Sequence, residues 1–386
     1  MSIKFDTFED YSNWSSHWKE FLEFFAKTEN IKDKEQLYGK LRNLINDFDG
    51  QVRGSYLKDD MGNVSYDEKD FQLAYLLRYY PLYSKTISYI DDDIKLVGEC
   101  LKNQAEKLNN KNKKFKLNVS IFGGGSAPEA LNVFNLFHSN ILEIADEMEW
   151  PSTALSGEKH EIFYNIYDKD DWQVGRNFTK QFMKNSGSAT NLSFRFKEEI
   201  FDIKNNVSIN LYEPQDFIIF QFSLTEMRDL IGADELAKKI EQISLCLVPG
   251  GKLLLLERIH KQTPYDFFEA FNNQTKLNLI GNKTFGGEGI EAQTYAEIPK
   301  FIKKMYSHSG ARASRFNRFM YYVYESPKPS SDIISEGSFV RHDNFGEGKV
   351  LLIEGLETKR IQVDFNKVGK KWLVMPLSGP SMLKKI

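Results

Sequence analysis

The segment that most constrains the fold is an apolar stretch followed by three glycines and then by a helical pattern. It is Asn118-Val-Ser-Ile-Phe-Gly-Gly-Gly-Ser-Ala-Pro-Glu-Ala130. Glycines at the end of a strand let a ligand approach the backbone, and the N-terminus of the next helix offers amide donors. Ser126 and Glu129 have the spacing of a capping box, which predicts a helix start here. The segment predicts either a nucleotide-like binding loop or a structural turn.

Short apolar strands alternate with helical segments between residues 115 and 325. This alternation predicts an α/β domain with a parallel sheet. The predicted helices are Leu131–Ala145 and Ser223–Leu247. The predicted strands, the last of which we expect to pair antiparallel at an edge, are Asn118–Phe122, Ile162–Tyr167, Leu192–Phe196, Asp216–Phe222, Lys252–Glu257 and Phe319–Tyr324.

The second predicted strand leads into Asp168, where doubly wound folds place the carboxylate that binds a ribose. Asp168 follows Gly125 by 43 residues because residues 140–161 form an insertion. Dinucleotide folds usually have an interval of about 20 residues, so the length weakens a nicotinamide-dependent alternative. Asp168 is either a hydroxyl-binding acid or a solvated turn acid. Trp172 either stacks on a heterocycle or packs.

These segments together resemble a class I S-adenosylmethionine-dependent methyltransferase over residues 115–325. The most specific one is Leu247-Val-Pro-Gly-Gly-Lys-Leu-Leu-Leu-Leu-Glu257, which is similar to that family's entry into its fifth strand. The resemblance implies a Rossmann-like sheet of seven strands in the order 3-2-1-4-5-7-6, with S-adenosylmethionine as the cofactor. The cofactor-binding residues that it implies are Gly123, Gly124, Gly125, Asp168, Trp172, Gln221 and Phe222.

The chain departs from the family pattern at two places. Ala127-Pro128 stand where many members have a further glycine, and Gln221-Phe-Ser-Leu-Thr-Glu226 lacks an Asn/Asp-Pro-Pro-Tyr box. Methyl transfer needs in-line positioning and sometimes a base, so Ser223 and Glu226 are the catalytic candidates. Their structural alternatives are a helix cap for Ser223 and a first-turn acid, favoured by the helix dipole, for Glu226.

Residues 1–114 have helical periodicity and form an N-terminal helical region. Aromatic residues recur within it, most densely between Leu73 and Ile90. We expect these side chains to pack a helical cap on its neighbour, with a substrate-facing surface as the alternative. The Asn/Lys run of residues 109–114 is typical of a solvated linker.

A basic stretch without acids precedes the last predicted strand. Aromatic residues are interleaved with its lysines and arginines, a composition that suits phosphate contacts and base stacking. The alternative is a solvated face with a few buried rings. The residues that we expect to contact substrate or nucleic acid are Lys303, Lys304, Arg312, Arg315 and Arg318.

A linker at residues 326–336, with two prolines and several serines, separates a β-rich unit at residues 337–386. This unit has seven Lys and two Arg against five acids, a net charge of +4. Gly337-Ser-Phe-Val-Arg-His-Asp-Asn-Phe-Gly-Glu-Gly-Lys-Val350 resembles the Tudor-like barrel of UvrD/PcrA-type helicases. The resemblance implies an interaction module for RNA polymerase or nucleic acid. His342 is then a barrel residue, and we expect no metal site.

Global charge gives little information, because 51 Lys+Arg nearly balance 54 Asp+Glu. Two cysteines exclude a disulfide-rich scaffold and an all-cysteine zinc site. Without an apolar N-terminal stretch or a membrane-length apolar run, we expect a cytoplasmic protein with no membrane contact.

The leading hypothesis is a methyltransferase that acts on RNA or a nucleoprotein-associated substrate and is recruited by the barrel. The alternative is a degenerate adaptor that binds nucleic acid or the transcription machinery.

Overall fold

A computed structural model describes most of the chain. The described ranges are 3–57, 66–105, 114–149, 159–186, 191–205, 214–259, 263–286, 297–309, 318–327, 336–337, 339–342, 345–354, 359–375 and 383–385. The chain divides into two compact units, Met1–Ser326 and Pro327–Ile386.

The N-terminal region is helical, as its periodicity predicts. Its first helix carries Trp18, Phe21, Leu22 and Phe25 on one buried face. Because residues three and four apart share a face of a helix, this spacing places all four side chains in the core. The helices are α1 (Ser16–Thr28), α2 (Lys34–Leu57), α3 (Lys69–Arg78), α4 (Tyr80–Tyr83), α5 (Thr86–Ile94) and α6 (Leu96–Ala105).

A seven-stranded sheet follows in the order β3-β2-β1-β4-β5-β7-β6, which is the order that the methyltransferase resemblance implies. The first five strands are parallel, and β7 pairs antiparallel with both β5 and β6. The strands are β1 (Lys116–Phe122), β2 (His160–Asp168), β3 (Leu192–Ile200), β4 (Gln215–Gln221), β5 (Leu247–Arg258), β6 (Asn278–Gly286) and β7 (Arg318–Glu325). The intervening helices are α7 (Pro128–Glu147), α8 (Gln173–Ser186), α9 (Leu224–Ile231), α10 (Ala233–Ser244), α11 (Tyr265–Gln274) and α12 (Lys300–Ser309).

Two local predictions were wrong, and one strand was not predicted. The single helix predicted over Ser223–Leu247 is two helices, because Gly232 has a φ of +85° that interrupts the helical backbone. The capping box is absent, since Ala127 is the N-cap of α7 and no side chain caps that helix. Strand β6 has no counterpart among the strands named from the sequence. Its residues are largely exposed and lack a continuous apolar run.

Both faces of the central strands are buried, which explains their nearly continuous apolar sequence. On one face, Ile121, Ile166 and Ile219 belong to a core shared with the N-terminal helices, α7 and α8. On the other face, Phe220 and Leu255 pack with residues of α9, α10 and α11. The N-terminal helices and the sheet therefore bury their apolar surfaces in one continuous core.

A buried lysine connects the N-terminal helices to the sheet. The side chain of Lys252 is 1% exposed, and its Nζ lies 3.1 Å from Glu99 on α6 and 3.2 Å from Glu325 on β7. Breaking such a pair leaves an uncompensated buried charge, which is strongly destabilising. Lys252 thus fixes the first turn of α6 against the middle of β5.

The C-terminal unit is a small all-β structure, as the sequence predicts. Its antiparallel sheet has the order β11-β10-β9-β8-β12 around a core of Val340, Val350, Ile361, Val363 and Phe365. His342 is buried and stacks on Phe345 at 4.5 Å. The strands are β8 (Phe339–His342), β9 (Gly346–Glu354), β10 (Lys359–Phe365), β11 (Gly369–Met375) and β12 (Leu383–Lys385).

Among the helices in the described ranges, none is both long and apolar enough to span a membrane.

Candidate functional site

A cleft lies at the carboxyl ends of β1, β2 and β4, under a wall of N-terminal helices. This is the edge of an open α/β sheet where ligands bind, at the point where the strand order reverses. The sequence-predicted residues that line it are Gly123, Gly125, Asp168, Trp172, Gln221, Phe222, Ser223 and Glu226.

The glycine loop reverses the chain directly after β1. The amides of Gly123 and Gly124 both donate to the carbonyl oxygen of Tyr167 at 2.8 and 3.3 Å, which holds the loop against β2. Gly123 and Gly125 have φ values of +63° and +48°, in the left-handed region that glycine adopts most readily. A Cβ at Gly123 would lie 2.4 Å from the Cβ of Ser223, so this position excludes any side chain.

Ala127, which stands where many members of the family have glycine, adopts a backbone conformation typical of glycine. Its φ and ψ are +58° and +50°, which is a left-handed conformation in a buried residue. Left-handed backbone costs a non-glycine residue about 1–2 kcal/mol. Phe222, which lines the cleft, is also left-handed, with φ +56°. Such strain is typical of functional sites.

Asp168 connects the end of β2 to the glycine loop. Its Oδ2 accepts the Gly125 amide at 2.8 Å, and its Oδ1 accepts the Asp170 amide at 3.1 Å. The buried guanidinium of Arg176 donates to the carbonyl of Gly125 at 3.1 Å from the other side. Burial raises the pKa of Asp168, and these amides and Arg176 act in the opposite direction. The carboxyl is thus held in place within the cleft and does not project from a solvated turn.

Trp172 packs over the glycine loop. A Cβ added at Gly125 would lie 3.3 Å from the indole, and the ring of Tyr66 stacks on Trp172 at 4.8 Å and 22°. Tyr75 meets the same indole edge-on at 4.9 Å. In the protein without a ligand, Trp172 therefore packs against protein side chains. Its stacking on a bound heterocycle stays a prediction.

The helical wall joins the loop after β2 through hydrogen bonds. Gln72 Nε2 donates to the carbonyl of Asp171 at 2.6 Å, and Gln72 Oε1 accepts the Gly175 amide at 3.0 Å. The Asp171 amide donates to Asp67 Oδ1 at 2.8 Å. These contacts place the N-terminal helices against the site.

Four tyrosines of the wall line the cleft: Tyr66, Tyr75, Tyr79 and Tyr83. The sequence favours a packing role for these tyrosines. In the structure they both pack against other side chains and line the cleft. The signal was the spacing of three of them, because Tyr75, Tyr79 and Tyr83 recur every four residues. That spacing places them on one side of consecutive helical turns.

Carboxyl groups with raised pKa values surround the cleft. Burial raises the pKa of Glu226 to about 8, and nearby Lys169 partly opposes this effect. Burial also raises the pKa of Glu257 to about 7, although its carboxylate accepts the amides of Thr225 and Arg258. Within the part of the chain that the structure describes, the carboxyl of Glu226 has no hydrogen-bond or ion-pair partner. Glu226 therefore remains available to a ligand.

Two further predicted residues at the end of β4 have defined contacts. Ser223 Oγ donates to the carbonyl oxygen of Phe122 at 3.3 Å, and no side-chain bond from Ser223 caps α9. Gln221 Nε2 donates to the carbonyl of Tyr83 at 3.2 Å, while its Oε1 is buried without a partner. An orphaned acceptor facing a cleft is a natural contact for an N–H donor of a ligand.

Of the basic residues predicted before the last strand, the three that the structure describes do not line the cleft. Lys303 and Lys304 lie on α12, Arg318 begins β7, and Arg312 and Arg315 lie outside the described residues. The aromatic residues among them are packed. Phe301 contacts Phe8, Trp14 and Tyr38, while Tyr306 and Phe319 are buried. These positions favour the alternative interpretation of this stretch, a solvated face whose few aromatic rings are buried in the core.

Comparison with known proteins found no matching family model and no matching curated protein. Among solved structures, a class I S-adenosylmethionine-dependent methyltransferase from Listeria monocytogenes, assigned by similarity, is 15% identical, with 81% of this chain and 89% of that chain covered and a TM-score of 0.38. A methyltransferase from Methanosarcina mazei is 10% identical, covering 56% of this chain and 94% of that one, with a TM-score of 0.30. The CMeT domain of the citrinin polyketide synthase is 14% identical, covering 80% and 69%, with a TM-score of 0.34. The strand order, and not these distant likenesses, identifies the sheet as the class I methyltransferase type.

The contact between Gly123 and Ser223 yields a stability prediction. We expect Gly123→Ala to lower the free energy of unfolding by about 2–4 kcal/mol, because it combines left-handed strain with overpacking. In a Ser223→Gly background the clashing Cβ is gone, so the same substitution should cost only about 1–2 kcal/mol. Urea unfolding of the four proteins measures this coupling. Equal costs in both backgrounds would contradict the close approach.

Proposed function

We propose that this protein is a methyltransferase that uses S-adenosylmethionine. The observation that carries the proposal is the convergence of three strand ends on one cleft. The left-handed glycine turn after β1, Asp168 after β2 and Gln221 with Phe222 after β4 meet there, in a sheet of the class I order. Sequence alone left the glycine loop and Asp168 with structural alternatives, and their direct hydrogen bond supports one shared binding role.

The residues present fit the cofactor. Bound there, S-adenosylmethionine supplies a methyl group on a positively charged sulfur, which a nucleophile attacks in line. Gly123 and Gly125 leave room for the ligand at the backbone, and Asp168 is placed to accept hydrogen bonds from ribose hydroxyls. The orphaned Oε1 of Gln221 suits an ammonium donor. These groups position the methyl donor and exclude water from it.

Glu226 is the proposed proton acceptor for the methyl acceptor. It lies in the first turn of α9, lines the cleft and has no partner among the described residues. Its pKa of about 8 makes it a stronger base than an ordinary glutamate. Ser223 is the weaker of the two catalytic candidates, because its hydroxyl already donates to Phe122.

We further propose that the acceptor is RNA or a nucleoprotein-associated substrate and that the C-terminal unit recruits it. Three observations within that unit support this. Its net charge is +4, Trp372 is 48% exposed and Phe339 is 59% exposed. Lys349 Nζ lies 5.8 Å from the centre of the Phe339 ring. Exposed rings beside lysines are the usual means of binding single-stranded nucleic acid.

The alternative function is an adaptor that has the fold but no turnover. The missing Asn/Asp-Pro-Pro-Tyr box favours it. The second ground, Ala127 in place of glycine, is weakened because Ala127 adopts the left-handed conformation itself. An unpartnered Glu226 in the cleft favours the enzyme.

Calorimetric titration with S-adenosylmethionine, S-adenosylhomocysteine and NAD tests the cofactor. We expect both sulfur ligands to bind, NAD not to bind, and Asp168→Asn to weaken binding at least about tenfold, because it removes a charged hydrogen-bond acceptor. Asp91→Asn is the matched control: Asp91 is also buried and accepts a backbone amide, that of Val97, but lies outside the cleft. Equal affinities for wild type and Asp168→Asn would refute the assigned site, and absence of binding would refute the cofactor.

Transfer of labelled methyl groups to total RNA and to total protein tests Glu226. We expect Glu226→Gln to slow transfer by about 10²–10⁴-fold with cofactor affinity retained. Because the carboxylate is the active form and its pKa is about 8, the wild-type rate should rise between pH 6.5 and pH 8. Glu235→Gln, which alters an exposed acid of the next helix outside the cleft, should keep both rate and pH profile. A Glu226→Gln rate equal to wild type would eliminate this base, and no transfer by wild type would favour the adaptor.

Fluorescence anisotropy with a labelled single-stranded RNA tests recruitment. We expect Trp372→Ala combined with Phe339→Ala to weaken binding by the full chain by about tenfold or more, since each stacked base contributes about 1–3 kcal/mol. Leu352→Ala is the control, because Leu352 is an exposed aliphatic residue of the same sheet. Unchanged affinity in the double variant, or equal losses in the control, would argue against RNA at this surface and for a protein partner such as RNA polymerase.

A further inference from the structure

Arg258 lies in the cleft, directly after the apolar segment that ends at Glu257. It is the last residue of β5 and lines the cleft beside Phe222 and Glu257. The amide of Phe222 donates to the carbonyl of Leu256 at 2.8 Å, which keeps the ends of β4 and β5 together. Arg258 is therefore carried on a rigid strand at the edge of the proposed site of chemistry.

Three aromatic rings surround the guanidinium of Arg258. Its central carbon lies 5.0 Å from the ring centres of Tyr79 and Tyr83 and 5.5 Å from that of Phe222. The tyrosines come from the helical wall and the phenylalanine from the end of β4. Cation–π contacts of this kind stabilise a cation without neutralising its charge.

The surrounding rings are themselves fixed. Tyr83 lies 4.5 Å from Phe222 and 5.6 Å from Tyr79, measured between ring centres. The carbonyl of Tyr83 accepts a hydrogen bond from Gln221, and Phe222 is held in a left-handed backbone conformation. The planar guanidinium presents its N–H donors in a geometry that matches an oxyanion in a bidentate arrangement.

We propose that Arg258 binds an oxyanion of the methyl acceptor, either a carboxylate or a phosphate, and so determines which acceptors enter the cleft. The inference rests on the proposed function and deepens it. The acceptor then carries an anionic group at Arg258 and presents a protonated nucleophile to Glu226. The tyrosine wall supplies the apolar contact for the part of the acceptor between these two groups.

Titration of the full chain, saturated with S-adenosylhomocysteine, with sodium phosphate and sodium acetate tests this inference. Sodium chloride at equal ionic strength is the reference. We expect at least one oxyanion to raise the thermal midpoint beyond chloride and to bind measurably by calorimetry. Arg258→Gln should weaken this binding at least tenfold, and Arg258→Lys should weaken it less, because lysine keeps the charge but loses the planar fork. Arg228→Gln, which alters an arginine outside the cleft, should bind as wild type does.

The two anions separate the possible sources of the group: preference for phosphate indicates a nucleotide-like acceptor, and preference for acetate a carboxylic acid. Equal oxyanion binding by wild type and Arg258→Gln would overturn the proposal, as would oxyanions that act only as chloride does. Thermal midpoints without ligand show whether each variant is folded. If S-adenosylhomocysteine itself fails to bind the wild type, the proposed function fails. Oxyanion binding that depends on Arg258 would then still establish the anion site.

Discussion

The cleft depends on the hydrogen bond between the Gly125 amide and the carboxylate of Asp168. It joins the turn after β1 to the end of β2, while the amides of Gly123 and Gly124 bind the carbonyl just before Asp168. Buried carboxylates are costly unless they are hydrogen-bonded, so this arrangement requires an amide donor at that position of the loop. The left-handed backbone of the loop turns its amides toward β2 and so supplies that donor. The same geometry brings the helix N-terminus, the glycines and the acid to one point.

The N-terminal helices are part of the site as well as part of the core. They contribute the tyrosines that surround Arg258 and the Gln72 side chain that binds the loop after β2. Their packing on the sheet is extensive, because residues of α1, α3 and α7 share one apolar cluster with β1 and β2. A substitution in this region therefore affects both the stability of the fold and the shape of the cleft.

Sequence predicted the fold well where apolar periodicity was strong. The buried strands β1, β4 and β5 were predicted in this way, and the strand order followed from the methyltransferase resemblance. The exposed strand β6 was not predicted, because tertiary pairing and not its own composition makes it a strand. Within the site, Gly123, Asp168 and Glu226 could be found because a strand end followed by glycine or acid is a local signal. Arg258 could not be assigned, since its role arises from contact with tyrosines about 180 residues away along the chain. The capping box failed because Ala127 took the cap position in a left-handed conformation that no local propensity favours.

The double hydrogen bond of Gln72 has a consequence for how molecules reach the cleft. Both ends of its buried amide are satisfied by backbone groups of the segment that follows β2. If the N-terminal helices moved away from the sheet, Gln72 Nε2 would lose the Asp171 carbonyl and Gln72 Oε1 would lose the Gly175 amide. The same movement would separate the ring of Tyr66 from that of Trp172. Opening the wall would therefore break both of these hydrogen bonds, whereas the exposed Asp229 marks a part of the cleft that faces solvent. A ligand that enters past Asp229 would leave both hydrogen bonds of Gln72 intact.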